Sequence, residues 1–317
     1  MQIIEMGRSM EKAILSPKKS HFSRIILWMP TGIFLLAVVL YFVIGFVAAD
    51  LVTKPIRNFS TDLSPAKYRL TYENITITAR IDSMQIAGWF IPSESRKVVI
   101  IVHGRNQSRT SYGGLVELAD YLHRNGLNVV MLDLRGHGQS PDAKYSFGLM
   151  ERRDVEGAVD WLTQRGYEQE GIGVLGISLG AAAVIGAAAE EPKISAVVED
   201  SGFAELYPIL EARSYSDGGL PGFLLTPTLW MIKLRYGYDL SQVRPVNEVG
   251  TIAPRPLLII HSVDDQIVPV ENAMQLKEAY PEAETWILHG PEHACAFYSY
   301  PEEYSQRVSS FFNKYLK

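Results

Sequence analysis

The hydrophobic pattern opens with an uninterrupted stretch. Residues 25–49 contain no Asp, Glu, Lys or Arg. As a helix rising about 1.5 Å per residue they would extend roughly 37 Å, enough to cross a hydrocarbon core of about 30 Å. Pro30 and Gly32 lie near the start of the run, where a break is tolerable. Residues 50–67 contain two prolines and no helical period, and read as a linker. The pattern then changes to strands. "YENITITARI" and "MQIAGWFI" are β-branched and aromatic, and Asp82-Ser83 between them predicts a hairpin. "KVVIIVHG" is a continuous apolar run, the mark of a strand buried on both faces. Further buried strands are predicted in "NVVMLDLRGHGQS", "GIGVLGIS", "ISAVVEDSG" and "RPLLIIHSVDD", with a short last one in "ETWILHG". Between them, helical spacing appears in "LVELADYLHRNG", in "DVEGAVDWLTQRG" (opened by Asp154), in "LGAAAVIGAAAEE" and in "ENAMQLKEAY".

Strands alternating with helices specify an α/β fold: a mostly parallel sheet with helices on both faces. The alternation breaks at about residues 202–250. This insertion carries Phe203, Leu206, Phe223, Leu224, Trp230 and Tyr236 among glycines and prolines, too many large apolar groups for a solvated loop. It is expected to be a small helical cap over the C-terminal edge of the sheet; ordinary core helices are the plainer reading. The expected organisation is a tail over 1–24, a membrane helix over 25–49, a linker over 50–67 and one α/β domain over 68–317.

Charge and composition sharpen this outline. The formal net charge is −5, and no basic face suggests a nucleic-acid partner. The single cysteine, Cys295, excludes an internal disulfide and a four-thiolate zinc site. Ahead of the apolar run stand Arg8, Lys12, Lys18, Lys19 and Arg24 against Glu5 and Glu11; behind it, Asp50, Lys54 and Arg57 form a weaker cluster. The positive-inside rule then puts the N-terminus in the cytoplasm and everything after residue 50 outside. A cleaved signal peptide is the alternative, with Val47-Ala48-Ala49 as its small-residue site, although the run exceeds the usual ~7–15 apolar residues. A buried core helix is a third reading, at odds with so long an uncharged stretch.

The candidate chemistry centres on Gly176-Ile177-Ser178-Leu179-Gly180. This Gly-x-Ser-x-Gly follows a buried strand and opens an Ala-rich helix, the context of a nucleophile elbow that lifts the serine hydroxyl clear of the sheet. Serine near neutral pH needs a base, and the base needs an acid to fix its tautomer. Asp264 and Asp265 both qualify as the acid, at the end of a buried strand; His289 and His293 are the histidines that follow. Other motifs fit poorly. His289-Gly290-Pro291-Glu292-His293 matches the zinc pattern H-x-x-E-H, but Gly290-Pro291 after a strand makes a turn rather than the required helix. Gly171 to Gly176 match G-x-G-x-x-G with Glu199 further on, but these glycines lie inside a strand instead of opening a helix. No Walker A sequence occurs, and Cys295 has no elbow. No metal and no cofactor are expected.

Five ordered motifs carry a family resemblance: His103-Gly104, Asp133 to Ser140 (D-x-R-G-H-G-x-S), Gly176 to Gly180, His261 to Pro269 (H-x-x-x-D-x-x-V-P) and Gly290 to His293 (G-x-x-H). Over about residues 70–317 the chain resembles serine hydrolases of the α/β-hydrolase superfamily, near its bacterial membrane-anchored esterases, lysophospholipases and serine-aminopeptidase-like members. The resemblance implies the α/β-hydrolase fold and a triad of Ser178, Asp265 and His293. It favours Asp265 over Asp264, and over Asp200, where some relatives carry the acid. His289 is then expected to be a packed, hydrogen-bonded residue. The backbone N–H groups of Arg105 and Leu179 are the expected oxyanion hole. The Arg105 side chain points to solvent or to an anionic substrate group. His103 and His137 are expected to orient loops, and Asp133 and Arg135 to stabilise their own. The implied reaction is cleavage of a carboxylic ester with a hydrophobic acyl group, on a small-molecule or lipid-like substrate. A peptidase or amidase on the same triad is the second enzymatic reading, and a non-catalytic binding or sensor protein is the reading from another class.

Overall fold

The computed structural model describes residues 21–111, 114–218 and 221–317. The expected tail over 1–24 falls mostly outside the described residues.

Eight strands form one sheet: β1 (Glu73–Thr78), β2 (Gln85–Ile91), β3 (Val98–Val102), β4 (Asn128–Leu132), β5 (Ile172–Ile177), β6 (Ala196–Asp200), β7 (Leu257–Ser262) and β8 (Glu284–Leu288). Their order is β1-β2-β4-β3-β5-β6-β7-β8. The predicted hairpin is the antiparallel pair β1–β2, and β2 runs antiparallel to β4; every other pairing is parallel. The five-residue strands β3, β4 and β6 are buried throughout, as their continuous apolar runs require. Alternate residues feed two cores, because successive side chains leave a strand on opposite faces. Ile100 and Val102 of β3 join α3 (Glu151–Gln164) and α4 (Leu179–Glu190) on one face. Val99 and Ile101 join α2 (Gly114–Arg124) and α10 (Pro301–Tyr315) on the other.

Two helices depart from the expectation. Helix α3 begins at Glu151, one turn before Asp154. The Glu151 carboxylate accepts from the N–H groups of Ser146 and Gly148 and from the Ser146 hydroxyl, and so organises the turn that starts the helix. Asp154 is instead buried in an ion pair with Arg135 at 2.6 Å. Helix α10 was not anticipated, although proline at its first position and the buried Tyr304, Val308, Phe311 and Phe312 give a regular amphipathic spacing.

Between β6 and β7 the insertion is helical: α5 (Leu206–Gly218), α6 (Leu225–Tyr236) and the short α7 (Pro245–Glu248), joined by 3-10 turns. Helix α8 (Glu271–Ala279) follows β7, and α9 (Ala296–Ser299) precedes α10.

The apolar N-terminal run forms α1 (His21–Thr53), whose segment Trp28–Thr53 is long and apolar enough to cross a membrane. Its last turns pack on the domain. Ala49 and Thr53 are fully buried, Asp50 accepts from Lys144 at 2.5 Å and from the Tyr236 hydroxyl at 2.8 Å, and a side chain at Gly45 would strike Pro227 of α6. The residues read as a linker are bonded down as well. Ile56 N donates to Asn106 Oδ1 at 2.9 Å, Arg57 to Gly138 O at 2.8 Å, and Ser60 N to Thr110 Oγ1 at 2.8 Å.

Candidate active site

Ser178 stands between β5 and α4 with φ 55° and ψ −116°. Such a backbone is costly for a residue with a side chain, on the order of 1–3 kcal/mol, and persists only where its surroundings enforce it. The flanking glycines show the enforcement. A Cβ on Gly180 would lie 2.5 Å from Val102 O and 2.7 Å from His103 O, and one on Gly176 would strike the Gly180 backbone. Chain reversal at this radius leaves no room for side chains on either side of the serine.

Three of the expected residues converge. Ser178 Oγ is 2.8 Å from His293 Nε2, and His293 Nδ1 is 2.7 Å from Asp265 Oδ2. Asp265 Oδ1 accepts from the N–H groups of Ile267 and Val268, each at 2.8 Å. The carboxylate is thus fixed by its own loop, with Oδ2 left for the imidazole. Asp265 is buried, whereas His293 is only partly so.

Asp264 points elsewhere. Its Oδ2 accepts from Gly290 N at 2.6 Å, and Ser262 Oγ donates to Pro291 O at 2.5 Å. These two bonds staple the loop that delivers His293. Gly290, at φ 98°, makes the turn possible. Asp200 is buried behind the site, where its carboxylate accepts from the Ser201 hydroxyl at 2.8 Å, and Ser201 Oγ in turn accepts from Ala294 N at 3.2 Å. The expectation for His289 was wrong: its side chain is exposed, because the residue sits on the outer bend of the turn, and only its carbonyl is engaged, by Tyr300. Glu292 is also exposed. Among the described residues no group of three His, Cys, Asp or Glu side chains could hold a metal ion.

Gly104 approaches the serine closely; a Cβ there would be 3.3 Å from Ser178 Cβ. Arg105, the next residue, lines the same cavity as Ser178. Leu179 is the first residue of α4, so its N–H has no acceptor within the helix. The loops around these residues are braced by two neutral histidines. His103 Nε2 accepts from Leu134 N at 3.0 Å, and its Nδ1 bonds Gly104 O at 2.8 Å. His137 Nε2 accepts from Asn106 N at 3.1 Å, and its Nδ1 bonds Arg135 O at 2.8 Å. Burial drives His103 down to about 3, with His137 adding to the effect, and burial also lowers His137. Asp133 holds its own loop through Gln139 N at 2.8 Å, as expected of it. Arg135 reaches further, to Asp154 of α3 and to Asp82 in the β1–β2 turn. Arg109 was missed by the sequence reading. It is buried, pairs with Asp133 at 2.5 Å and stacks on Trp89 with 4.4 Å to the ring centroid. The polar run Arg105 to Thr110, directly after a buried strand, was the available signal.

The cavity at Ser178 holds about 110 Å³ and is walled by Phe147, Phe203, Leu206, Ile209 and Leu210, with Arg105 and Arg213 at its rim. Arg105 also lies beside Tyr145, with which it lines the neighbouring cavity. Burial raises two carboxyls behind the site, Glu199 to about 8 and Asp200 as well.

The doubly covered sheet, the strained serine turn and the acid and histidine loops beyond the next strands give the α/β-hydrolase fold, and the similarities that follow support a hydrolase of the α/β-hydrolase superfamily. Residues 93–209 match the family profile described as serine aminopeptidase, S33. The Pyrococcus furiosus esterase Pf2001 superposes with a TM-score of 0.70 at 26% identity, over 83% of this chain and 100% of that one. The uncharacterised protein YqkD of Bacillus subtilis is 29% identical over 235 residues, 71% of this chain and 74% of that one. A 2-hydroxy-6-oxo-6-(2'-aminophenyl)hexa-2,4-dienoic acid hydrolase of Metapseudomonas resinovorans is 22% identical over 68% of this chain and 84% of that one.

Proposed function

We propose that the chain is a membrane-anchored serine hydrolase that cleaves carboxylic esters with a hydrophobic acyl group. The observation that carries this is the continuous chain from Ser178 through His293 to Asp265, at 2.8 and 2.7 Å, on a strained elbow. Asp265 accepts a hydrogen bond from His293 Nδ1–H, which keeps the proton on Nδ1 and leaves Nε2 free to accept from Ser178 Oγ. The serine oxygen attacks the ester carbonyl while its proton passes to Nε2. The tetrahedral oxyanion is held by the N–H groups of Arg105 and Leu179, each worth about 3 kcal/mol in comparable sites. The imidazolium gives its proton to the departing alkoxide, and an acyl-Ser178 remains. Water, deprotonated by His293, then releases the acid. A fluorophosphonate probe should label Ser178 in the purified protein and leave Ser178→Ala unlabelled. A folded protein that resists the probe would sink the reading and favour a binding or sensor role.

The S33 match raises the peptidase reading. An aminopeptidase must hold a protonated α-amine, which calls for a carboxylate at the substrate. The residues walling the cavity at Ser178 include two arginines and no Asp or Glu. Esters therefore fit better than aminoacyl amides. Hydrolysis rates on p-nitrophenyl acyl esters and aminoacyl anilides decide between them, and preference for the anilides would reverse the assignment.

We also read α1 as a retained anchor with the catalytic domain outside. The fully buried Ala49 and Thr53 and the bonds to Asp50 support this, since cleavage after Ala49 would cut a helix inside its packed contacts. An intact mass in the membrane fraction is expected; a mature chain beginning near Asp50 would refute it.

A further inference from the structure

Alongside the cavity at Ser178 lies a second and larger one, of about 300 Å³. Ala48, Leu51 and Val52 of α1 form one wall and Leu224 and Leu225 another. The two cavities meet at Arg105, Leu210 and Arg213, which line both. Alone, the inner cavity is smaller than the ~300–1,000 Å³ usual for ligand pockets; together they fall within that range. Part of the binding space is thus built by the helix read as the anchor.

Helix α6 runs parallel to α1. Tyr41 donates to Phe223 O at 3.1 Å and stacks on the Phe223 ring. Gly45 touches Pro227, and Arg235 donates to Phe46 O at 2.8 Å. The 3-10 turn ahead of α6 exposes Phe223 at 65%, and α6 itself exposes Trp230 at 68% and Leu234 at 78%, one turn apart. Large apolar groups clustered at helical spacing on an exposed face mark a contact surface. The neighbouring helix says what it contacts. If the hydrocarbon core begins at Trp28, its ~30 Å takes roughly 20 residues, to about Val47. Phe223, level with Tyr41, then lies on the order of 9 Å below the outer boundary, within the apolar part of the outer leaflet.

We infer that α6 is embedded in the outer leaflet and that the cavity between α1 and the insertion is a lateral passage through which an acyl ester resident in the bilayer reaches Ser178. The passage rests on the hydrolase and anchor readings above. The ester carbonyl lies at Ser178, and the acyl chain extends past Leu210 between α1 and α6 toward the lipid.

Two measurements on the full chain in phosphatidylcholine nanodiscs test this. First, on a Cys295→Ser background, an NBD probe is placed at Phe223→Cys, at Trp230→Cys and, as a control, at the exposed hairpin position Ile81→Cys. Emission at 223 and 230 should shift to the blue and be quenched by spin-labelled lipid, while position 81 reads as water. Water-like emission at 223 and 230 overturns the seating of α6. Second, Trp230→Glu with Leu234→Glu should lower hydrolysis of long-chain lysophosphatidylcholine in the nanodisc at least tenfold and leave soluble p-nitrophenyl acetate within twofold. Equal loss on both esters, or no loss on either, overturns the lateral passage. A wild-type chain that cleaves neither ester refutes the hydrolase reading and the passage with it, and the probe measurement still decides where α6 lies.

Discussion

Adjacent aspartates make a sharp test of the site. Asp265→Asn keeps size and shape and changes one polar end. The new amide oxygen must take the place of Oδ1, because the N–H groups of Ile267 and Val268, donating at 2.8 Å, require an acceptor there. The amide nitrogen then faces His293 Nδ1, where the carboxylate accepts now at 2.7 Å. Two N–H donors cannot share that contact, so the imidazole shifts its proton to Nε2, the atom 2.8 Å from Ser178 Oγ. A protonated Nε2 cannot take the serine proton. The expected loss is about 10³–10⁴-fold in kcat, roughly 4–5.5 kcal/mol at 1.36 kcal/mol per tenfold, with KM little changed. Asp264→Asn is the control. Its amide oxygen can still accept from Gly290 N in this exposed bond, so stability should change by no more than about 1 kcal/mol and kcat should hold within tenfold. The assay is p-nitrophenyl butyrate hydrolysis with circular dichroism on each variant. A kcat loss below tenfold for a folded Asp265→Asn, or a greater loss for Asp264→Asn, would refute the assignment.

Further outcomes follow from the same contacts. Gly180→Ala forces a methyl against two backbone carbonyls at 2.5 and 2.7 Å, neither of which can rotate away. Overpacking of about 1–3 kcal/mol should lower Tm by several degrees and abolish probe labelling; an unchanged Tm with normal labelling contradicts the elbow argument. Glu199 is fully buried and raised to about 8, so the folded chain holds a proton there that the unfolded chain releases near pH 4–5. Stability then falls as pH rises between those values, by up to about 1.4 kcal/mol per pH unit from this group, and levels off above. In Glu199→Gln, urea midpoints should decline less from pH 5 to pH 8 than in the wild type, and equal slopes would count against the account. Removing residues 1–53 uncovers the side of α6 that Gly45 and Phe46 now touch. The fragment should aggregate without detergent on size exclusion, and a monodisperse soluble fragment would contradict it.

Much of this architecture is legible in the sequence because its cause is local. The runs that become β3 and β5 are apolar at every position since both faces of the sheet are covered. The elbow reads out because its glycines answer to backbone contacts within a few residues and the adjoining strand. Other features depend on distant partners. Asp154 looks like a helix opener until Arg135, itself paired with Asp82, is brought to it across the fold. The division of labour between Asp264 and Asp265 is set by which N–H groups the two loops present, so motif spacing could name the acid but not the staple to Gly290. His289 illustrates the converse, since residues just past a strand can turn outward when a glycine follows. The shared wall of α1 and the insertion could not be read at all, because it joins segments some 180 residues apart.

The junction between α1 and the domain lacks a hinge. The helix continues to Thr53, Asp50 is tied to Lys144 and Tyr236, and the residues after it are bonded to the loop that bears Arg105. A domain on a flexible tether reorients freely, and its membrane is only a leash. On the anchor reading the bilayer acts as a jig, because the tilt of α1 and the pose of Ser178 become a single variable. An apolar helix longer than the hydrocarbon thickness tilts to fit it. Bilayer thickness therefore becomes an input to catalysis, and turnover of a membrane-borne ester should vary with the acyl length of the surrounding lipid while turnover of a water-soluble ester does not.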